Sequence, residues 1–305
     1  MKIKANGIDI EVEVEDTGAD GSQAGRPVVL LIMGLGMQLV HWPPALVQAL
    51  VDAGYRVIRH DNRDVGLSRH FDELGVPNLM WAGLQHKLGF TPNAPYSVGD
   101  MAQDAIGVLD VLKVERAHIV GVSMGGMIAQ RVALAAPRRV LSLASVMSSS
   151  GARGLPTADS KVLKALLSRP ASHSPQDVAD HYIRLFTAIG SPDFTVPEAE
   201  MRERIMAGIQ RSFRPVGTLR QLLAVMADEG RADELRRIAC PTLVLHGKAD
   251  PLVPYACAED TARRIPGAKM VGIEGMGHDL PPGVVTHLLA HLIPHLNEAG
   301  RKAAA

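Results

Sequence analysis

The stretch His118-Ile119-Val120-Gly121-Val122-Ser123-Met124-Gly125 decides the fold. Its first half is a short apolar run with strand character. From Met124 to Ala135 the pattern becomes that of a helix, so a serine sits at a strand-to-helix turn between two glycines. Such a turn is tight enough that side chains at the flanking positions would clash, and glycine removes them. G-x-S-x-G alone also fits a glycine-rich turn that merely packs a helix on a strand. The strand-turn-helix setting favours a nucleophile whose hydroxyl stands above the end of a sheet.

Working outward from this turn, short apolar runs alternate with amphipathic stretches. After an alternating N-terminal segment that reads as a pair of strands, Val28–Met33 reads as a strand buried on both faces. Pro44–Ala53 then reads as a helix ended by Gly54, and Tyr55–Asp61 as the next strand. Val98, Met101, Ala105, Leu109 and Leu112 share a helical face, and Val140–Met147 is a further strand. Beyond the middle of the chain, Thr242–His246, Ala256–Ile265, Lys269–Ile273 and Val284–Leu296 repeat the strand-helix rhythm. Alternation of this kind predicts an α/β fold with a mostly parallel central sheet and helices on both faces.

The rhythm stops between about Ser150 and Arg237. Stripes at Val162/Leu163/Leu166/Leu167, Val178/Tyr182/Leu185/Phe186, Met201/Ile205/Ile209 and Leu219/Leu222/Leu223/Met226 predict helices, with no good strand candidate. Residues 1–149 and 238–305 are therefore expected to form one core domain, and 150–237 an inserted helical cap. A second irregular stretch, Arg69–Pro95, carries only a weak helical patch near Met80–Leu88.

A serine hydroxyl needs a base. Imidazole suits the task because its pKa lies near neutrality, and the chain has twelve histidines. Most of them read as surface or core residues. His278, in the glycine-flanked loop Gly275-Met276-Gly277-His278-Asp279, follows the last predicted strand and lies at the same sheet edge as Ser123. Asp250 follows the preceding strand, in His246-Gly247-Lys248-Ala249-Asp250-Pro251, where it can orient the imidazole; an ordinary turn aspartate before proline is the bland alternative. The other position for an acid, after Met147, offers only Ser148, Ser149 and Ser150. Negative charge developing on a substrate carbonyl would be met by backbone N–H groups, those of Met124 and of Leu35 in Met33-Gly34-Leu35-Gly36-Met37.

Composition narrows the partners. In 305 residues, 32 basic side chains balance 32 acidic ones, so no net field draws the chain to nucleic acid or to an anionic membrane. A small neutral ligand fits better. Nothing resembles a signal peptide or a membrane span, and the two cysteines, Cys240 and Cys257, read as reduced residues of a cytoplasmic protein, with a bridge between them left open. No metal or organic cofactor is implied, and the oligomeric state is not readable.

These motifs, together with Ile32-Met33-Gly34, Asp61-Asn62-Arg63-Asp64-Val65-Gly66-Leu67-Ser68 and Gly275-Met276-Gly277-His278-Asp279-Leu280-Pro281, resemble the α/β-hydrolase superfamily over essentially the whole chain. Within it the resemblance is to aclacinomycin methylesterase-like serine carboxylesterases. It implies a triad at Ser123, Asp250 and His278, oxyanion donors at Leu35 and Met124, and a structural role for Asp61, Arg63 and Ser68. Met33 stands where many relatives have histidine. Serine at the elbow excludes the alkyl-enzyme chemistry of haloalkane dehalogenases and epoxide hydrolases, which use aspartate there.

The expected function is hydrolysis of short- to medium-chain carboxylic esters through an acyl-enzyme, with the cap over the triad and the stretch Arg69–Pro95 together forming an apolar pocket rich in Leu, Met and Ile. A ligand receptor with little turnover, a carbon–carbon bond hydrolase, an acyltransferase or a perhydrolase would carry the same three residues.

Overall fold

The computed structural model describes residues 1–16 and 25–304. Eight strands form one sheet in the order β1-β2-β4-β3-β5-β6-β7-β8. β1 (Lys2–Ala5) and β2 (Ile8–Glu15) make an antiparallel pair, and β2 also runs antiparallel to β4. β3 (Val28–Ile32), β4 (Arg56–His60), β5 (Ala117–Val122), β6 (Val140–Val146), β7 (Thr242–Gly247) and β8 (Lys269–Ile273) are all parallel. β3, β5 and β7 are buried along their whole length, which is why they read as unbroken apolar runs.

Side chains alternate across β3. Val28, Leu30 and Ile32 enter a core with α3 (Val98–Val111) and α4 (Met124–Ala135), through Met101, Ala105, Val108, Ile128 and Val132. Val29 and Leu31 enter a second core on the other face, with α1 (Pro44–Asp52) and α11 (Pro282–Ala304), through Leu46, Leu50, Val284, Leu288 and Leu292. Fully burying one such side chain contributes about 1.5–3 kcal/mol. α10 (Tyr255–Arg264) packs on β7 and β8. α11 runs well past the predicted end at Leu296 and through Pro294. α3 starts in a capping box, in which the Ser97 hydroxyl accepts the Asp100 N–H and the Asp100 carboxylate accepts the Ser97 N–H.

The weak patch near Met80–Leu88 is a helix, α2 (Leu79–Lys87), capped by Asn78. Between β6 and β7 lie α5 (Ser160–Leu167), α6 (Pro175–Ile189), α7 (Glu198–Arg211), α8 (Pro215–Met226) and the single turn α9 (Arg231–Glu234), with no strand among them.

The predicted face of α8 needs correction. Leu219, Leu222 and Met226 are only half-buried, whereas Gly217, Arg220, Gln221, Leu223 and Ala224 are buried. The helix turns its polar residues inward because the surface it meets, the loop after β4, is itself polar. Arg220 makes two hydrogen bonds of 2.8 Å to the Asp64 carboxylate, and Gln221 donates to the Arg63 carbonyl at 2.7 Å.

The predicted stripe of α5 differs at one place, for Leu163 is exposed while Val162 is buried. Cys240 and Cys257 are both free thiols, so the bridge left open by the sequence is not formed. Among the described residues no helix is long and apolar enough to cross a membrane.

Candidate active site

Parallel strands deliver their carboxyl ends to one edge of the sheet. Register aligns Gly121 of β5 with Ile32 of β3 and with Ser145 of β6, and pairs Gly247 of β7 with Ile273 of β8. The loops that follow β3, β5, β7 and β8 therefore share a rim, and these loops carry the residues singled out in the sequence.

Ser123 holds φ 55° and ψ −122°, a conformation that L-residues rarely adopt and that costs on the order of 1–3 kcal/mol. Its N–H donates to the Val146 carbonyl at 2.9 Å, which ties the turn to β6. The glycines are there for space. A Cβ at Gly121 would lie 2.0 Å from the Gly125 carbonyl oxygen, and one at Gly125 would lie 2.0 Å from that of Ile32. The serine stays partly accessible at the amino end of α4.

The Ser123 Oγ lies 2.9 Å from His278 Nε2, and His278 Nδ1 lies 2.7 Å from Asp250 Oδ2. The imidazole is thus held at both nitrogens. Asp250 is buried, and its other oxygen accepts the N–H groups of Leu252 and Val253 at 2.9 and 2.8 Å. Burial by itself raises the Asp250 pKa. The charge of His278, with hydrogen bonds from His246 and His278, outweighs that and holds the carboxyl well below the usual carboxylate range.

His246, whose Nε2 is 3.3 Å from Asp250 Oδ2 and 2.7 Å from the Val253 carbonyl oxygen, is a supporting residue that the sequence reading quoted without assigning a role. It is fully buried. Nothing in its strand-end position separates it from an ordinary core histidine.

The His278 loop is clasped from the inserted helices. The His278 N–H donates to the Ile189 carbonyl at 2.7 Å, and the Gly277 N–H donates to Ser191 Oγ at 2.9 Å. Ser191 in turn donates through its hydroxyl and its N–H to Asp279 Oδ1. Burial pushes the Asp279 carboxyl up despite those two donors. Gly277 approaches Gly190 so closely that a Cβ there would meet its carbonyl oxygen at 2.4 Å.

The loop after β3 lies against the serine: a Cβ at Gly34 would come within 3.2 Å of the Ser123 Cβ. Its shape is set by polar contacts that sequence reasoning did not anticipate. Asn62 donates to the Met33 carbonyl at 2.9 Å, the Gly36 N–H donates to Gln221 Oε1 at 2.9 Å, and the Leu39 N–H donates to Asp61 Oδ1 at 2.7 Å. The Gly36 amide is thereby committed to Gln221.

Asp61 also accepts from the Leu67 N–H and from Arg211 of α7, while the Ser68 hydroxyl donates to the Asp61 carbonyl. Arg63 reaches a different carboxylate, Asp104, at 2.6 and 2.7 Å.

A cavity opens between this loop and the inserted helices, lined by Met37, His41, Tyr182, Phe186, Ile205 and Phe213 among others. Three aromatic rings, those of Tyr182, Phe186 and Phe213, line it, and Ser123 and His278 are not among its lining residues. Tyr182 stacks on Phe186 with centroids 6.2 Å apart and meets Phe213 edge-on. Burial holds His41 below the ordinary histidine pKa. Among the described residues no group of three or more His, Cys, Asp or Glu is disposed to hold a metal ion.

Comparison with known proteins places these features in context. Residues 27–281 match a family described as "alpha/beta hydrolase fold". The chain is 32% identical over 302 residues to rhodomycin D methylesterase DnrP of Streptomyces peucetius and to rhodomycin D methylesterase DauP of Streptomyces sp. (strain C5), covering 92% of this chain and 93% of each relative. Among solved structures it is similar to the meta-cleavage product hydrolase CumD from Pseudomonas fluorescens IP01, with a TM-score of 0.71, 22% identity and 98% of both chains covered.

Proposed function

This chain belongs to the α/β-hydrolase fold family, and from that premise we propose that it is a serine carboxylesterase in which Ser123 is the nucleophile, His278 the general base and Asp250 the orienting acid. One observation carries the reading: the continuous hydrogen-bonded path from Ser123 Oγ through both imidazole nitrogens to Asp250. The methylesterase names of the relatives support an ester as the substrate.

In the proposed cycle, Ser123 Oγ attacks the ester carbonyl carbon while its proton passes to His278 Nε2. The Asp250 carboxylate stabilises the resulting imidazolium. The carbonyl oxygen, now an oxyanion, is held by the N–H groups of Leu35 and Met124, the latter at the start of α4, where the helix dipole also favours negative charge. Collapse breaks the ester C–O bond, and His278 returns its proton to the departing alcohol. Water, deprotonated by the same imidazole, then attacks the acyl-enzyme and releases the acid and Ser123.

The helices of residues 150–237 act as a cap in this reading, for α6 and α7 bring Tyr182, Phe186, Ile205 and Ile209 to the lining of the cavity. Short- to medium-chain acyl groups are the proposed range. The flat faces of Tyr182 and Phe186 would also accept an aromatic acyl group.

The test is turnover of p-nitrophenyl and methyl esters over a chain-length series, set beside Ser123→Ala. Multiple turnover in the wild type, falling by at least about 10⁴-fold in the variant, supports the proposal. Equal rates in the two proteins, or a single turnover followed by tight retention of product, would sink it. Product formed only when an alcohol acceptor is supplied would reassign the same triad to acyl transfer.

A further inference from the structure

The loop that carries His278 contains two glycines, Gly275 and Gly277, so the backbone is freest where the base has to be held most closely. Contacts from outside the loop remove that freedom. Residues 189–194, which begin at the last residue of α6, lie across it. The His278 N–H takes the Ile189 carbonyl at 2.7 Å, one of the last carbonyls of α6, which have no partner within the helix. The Asp193 N–H donates to the Gly275 carbonyl at 3.3 Å.

Between these two points stands Ser191, which is buried. Its hydroxyl accepts the Gly277 N–H at 2.9 Å and donates to Asp279 Oδ1, and that same oxygen accepts the Ser191 N–H at 3.1 Å. Gly277 and Asp279 are the two neighbours of His278 in the chain, so one side chain of the inserted segment grips the base from both sides. Attachment of the helices to the core is served by other contacts: Arg220 with Asp64, and Phe194, whose ring meets that of His287 in α11 with centroids 5.5 Å apart.

We propose that Ser191 and Asp279 are positioning residues for the general base, setting the place of the His278 imidazole against Ser123, so that the inserted helices take part in the chemical step as well as in binding. The inference rests on the reading of His278 as that base. Nε2 stands 2.9 Å from Ser123 Oγ, and a displacement of about 1 Å at such a contact costs on the order of 10²-fold in rate. α6 also carries Tyr182 and Phe186 of the cavity, so one helix bears on both the cavity and the base.

The experiment is steady-state kinetics on an ester that the wild type turns over, in Ser191→Ala, Asp279→Ala and Asp279→Asn, with Ser123→Ala and Phe194→Leu beside them. In the two alanine variants at positions 191 and 279, kcat should fall by about 30–100-fold with KM within about twofold of wild type. Their combination should lose no more than about threefold further, because both remove the same grip. Asp279→Asn can still present a carbonyl oxygen to Ser191 and should stay within about threefold of wild type. Phe194→Leu should lower the melting temperature and leave kcat unchanged. Amide hydrogen exchange provides a readout apart from turnover: Gly277 and His278 should be protected in the wild type, in Asp279→Asn and in Ser123→Ala, and should exchange faster in Ser191→Ala.

Wild-type kcat in folded Ser191→Ala, a change confined to KM, or equal losses in Asp279→Ala and Asp279→Asn overturns the proposal. So does a loss of kcat in Phe194→Leu as large as that in Ser191→Ala, which would make the contacts merely structural. Rapid exchange of the two amides in the wild type overturns it even if no alanine variant folds. Undiminished turnover in Ser123→Ala removes the triad and this proposal together, whereas an inactive Ser123→Ala beside an unimpaired Ser191→Ala removes this proposal alone.

Discussion

Arg220 and Asp64, 156 positions apart in the chain, meet through two hydrogen bonds of 2.8 Å with both side chains almost wholly buried. Burial by itself raises the Asp64 pKa, but Arg220, the Phe71 N–H and the Tyr96 hydroxyl outweigh it and hold the carboxyl low. The pair fastens the inserted helices to the loop after β4. Arg220→Ala leaves the carboxylate buried without its cation, and unfolding in urea should show a loss of about 3–5 kcal/mol. The double replacement Arg220→Met with Asp64→Asn should recover part of that, since no orphan charge remains and asparagine tolerates the φ of 68° while keeping an acceptor beside the Phe71 N–H and the Tyr96 hydroxyl. A single variant as stable as the wild type would show that water reaches the site.

Gln221, one residue on, holds the loop proposed to donate to the oxyanion. Its side chain joins the Gly36 N–H to the Arg63 carbonyl. Replacement by leucine should lower kcat by about tenfold with KM nearly unchanged, less than the 10²–10³-fold cost of losing a donor outright. A change confined to KM would place Gln221 in substrate binding instead.

Asp250 keeps its charge throughout the acid limb of a pH–rate profile, because its partners hold its carboxyl far below the pH of assay. The acid limb of kcat/KM should therefore carry no ionisation of Asp250. Asp250→Asn should cost about 10⁴-fold in kcat. His246→Phe, which removes only the flanking contact, should cost about tenfold. An ionisation of Asp250 in the acid limb, or equal losses in the two variants, would contradict this division of labour.

Stability should fall on mild acidification. Burial lowers His60 and His118 from the ordinary 6.5 to about 4 each. Above pH 6.5 both are neutral in folded and unfolded chains alike, so they contribute no pH dependence there. Between 6.5 and 4 the unfolded chain binds protons that the native one refuses, and stability is lost as pH falls, by up to about 3 kcal/mol per histidine at the lower end. Melting temperatures measured from pH 7 down to 4.5 should drop, and more shallowly in His118→Gln. A flat profile would mean that these rings accept protons without leaving the core.

The sequence by itself determined the α/β class, the strand and helix order of the core, and the tight turn at Ser123. Each of these rests on local pattern: unbroken apolar runs for strands buried on both faces, helical stripes between them, and glycine where a Cβ has no room. It also named His278 and Asp250, since the end of a parallel strand is a place that can be counted along the chain.

The inward face of α8, the aromatic lining of the cavity, and the support given by Gln221, Ser191 and His246 were decided only by the tertiary structure. A stripe of leucines on α8 reads as core until the polar loop around Asp64 is opposite it, and then Arg220 turns inward because a buried carboxylate needs its cation. Periodicity reports which residues share a face. What that face meets depends on segments far away in the chain, and the chemistry of the opposing surface chooses between a leucine and an arginine for the interior.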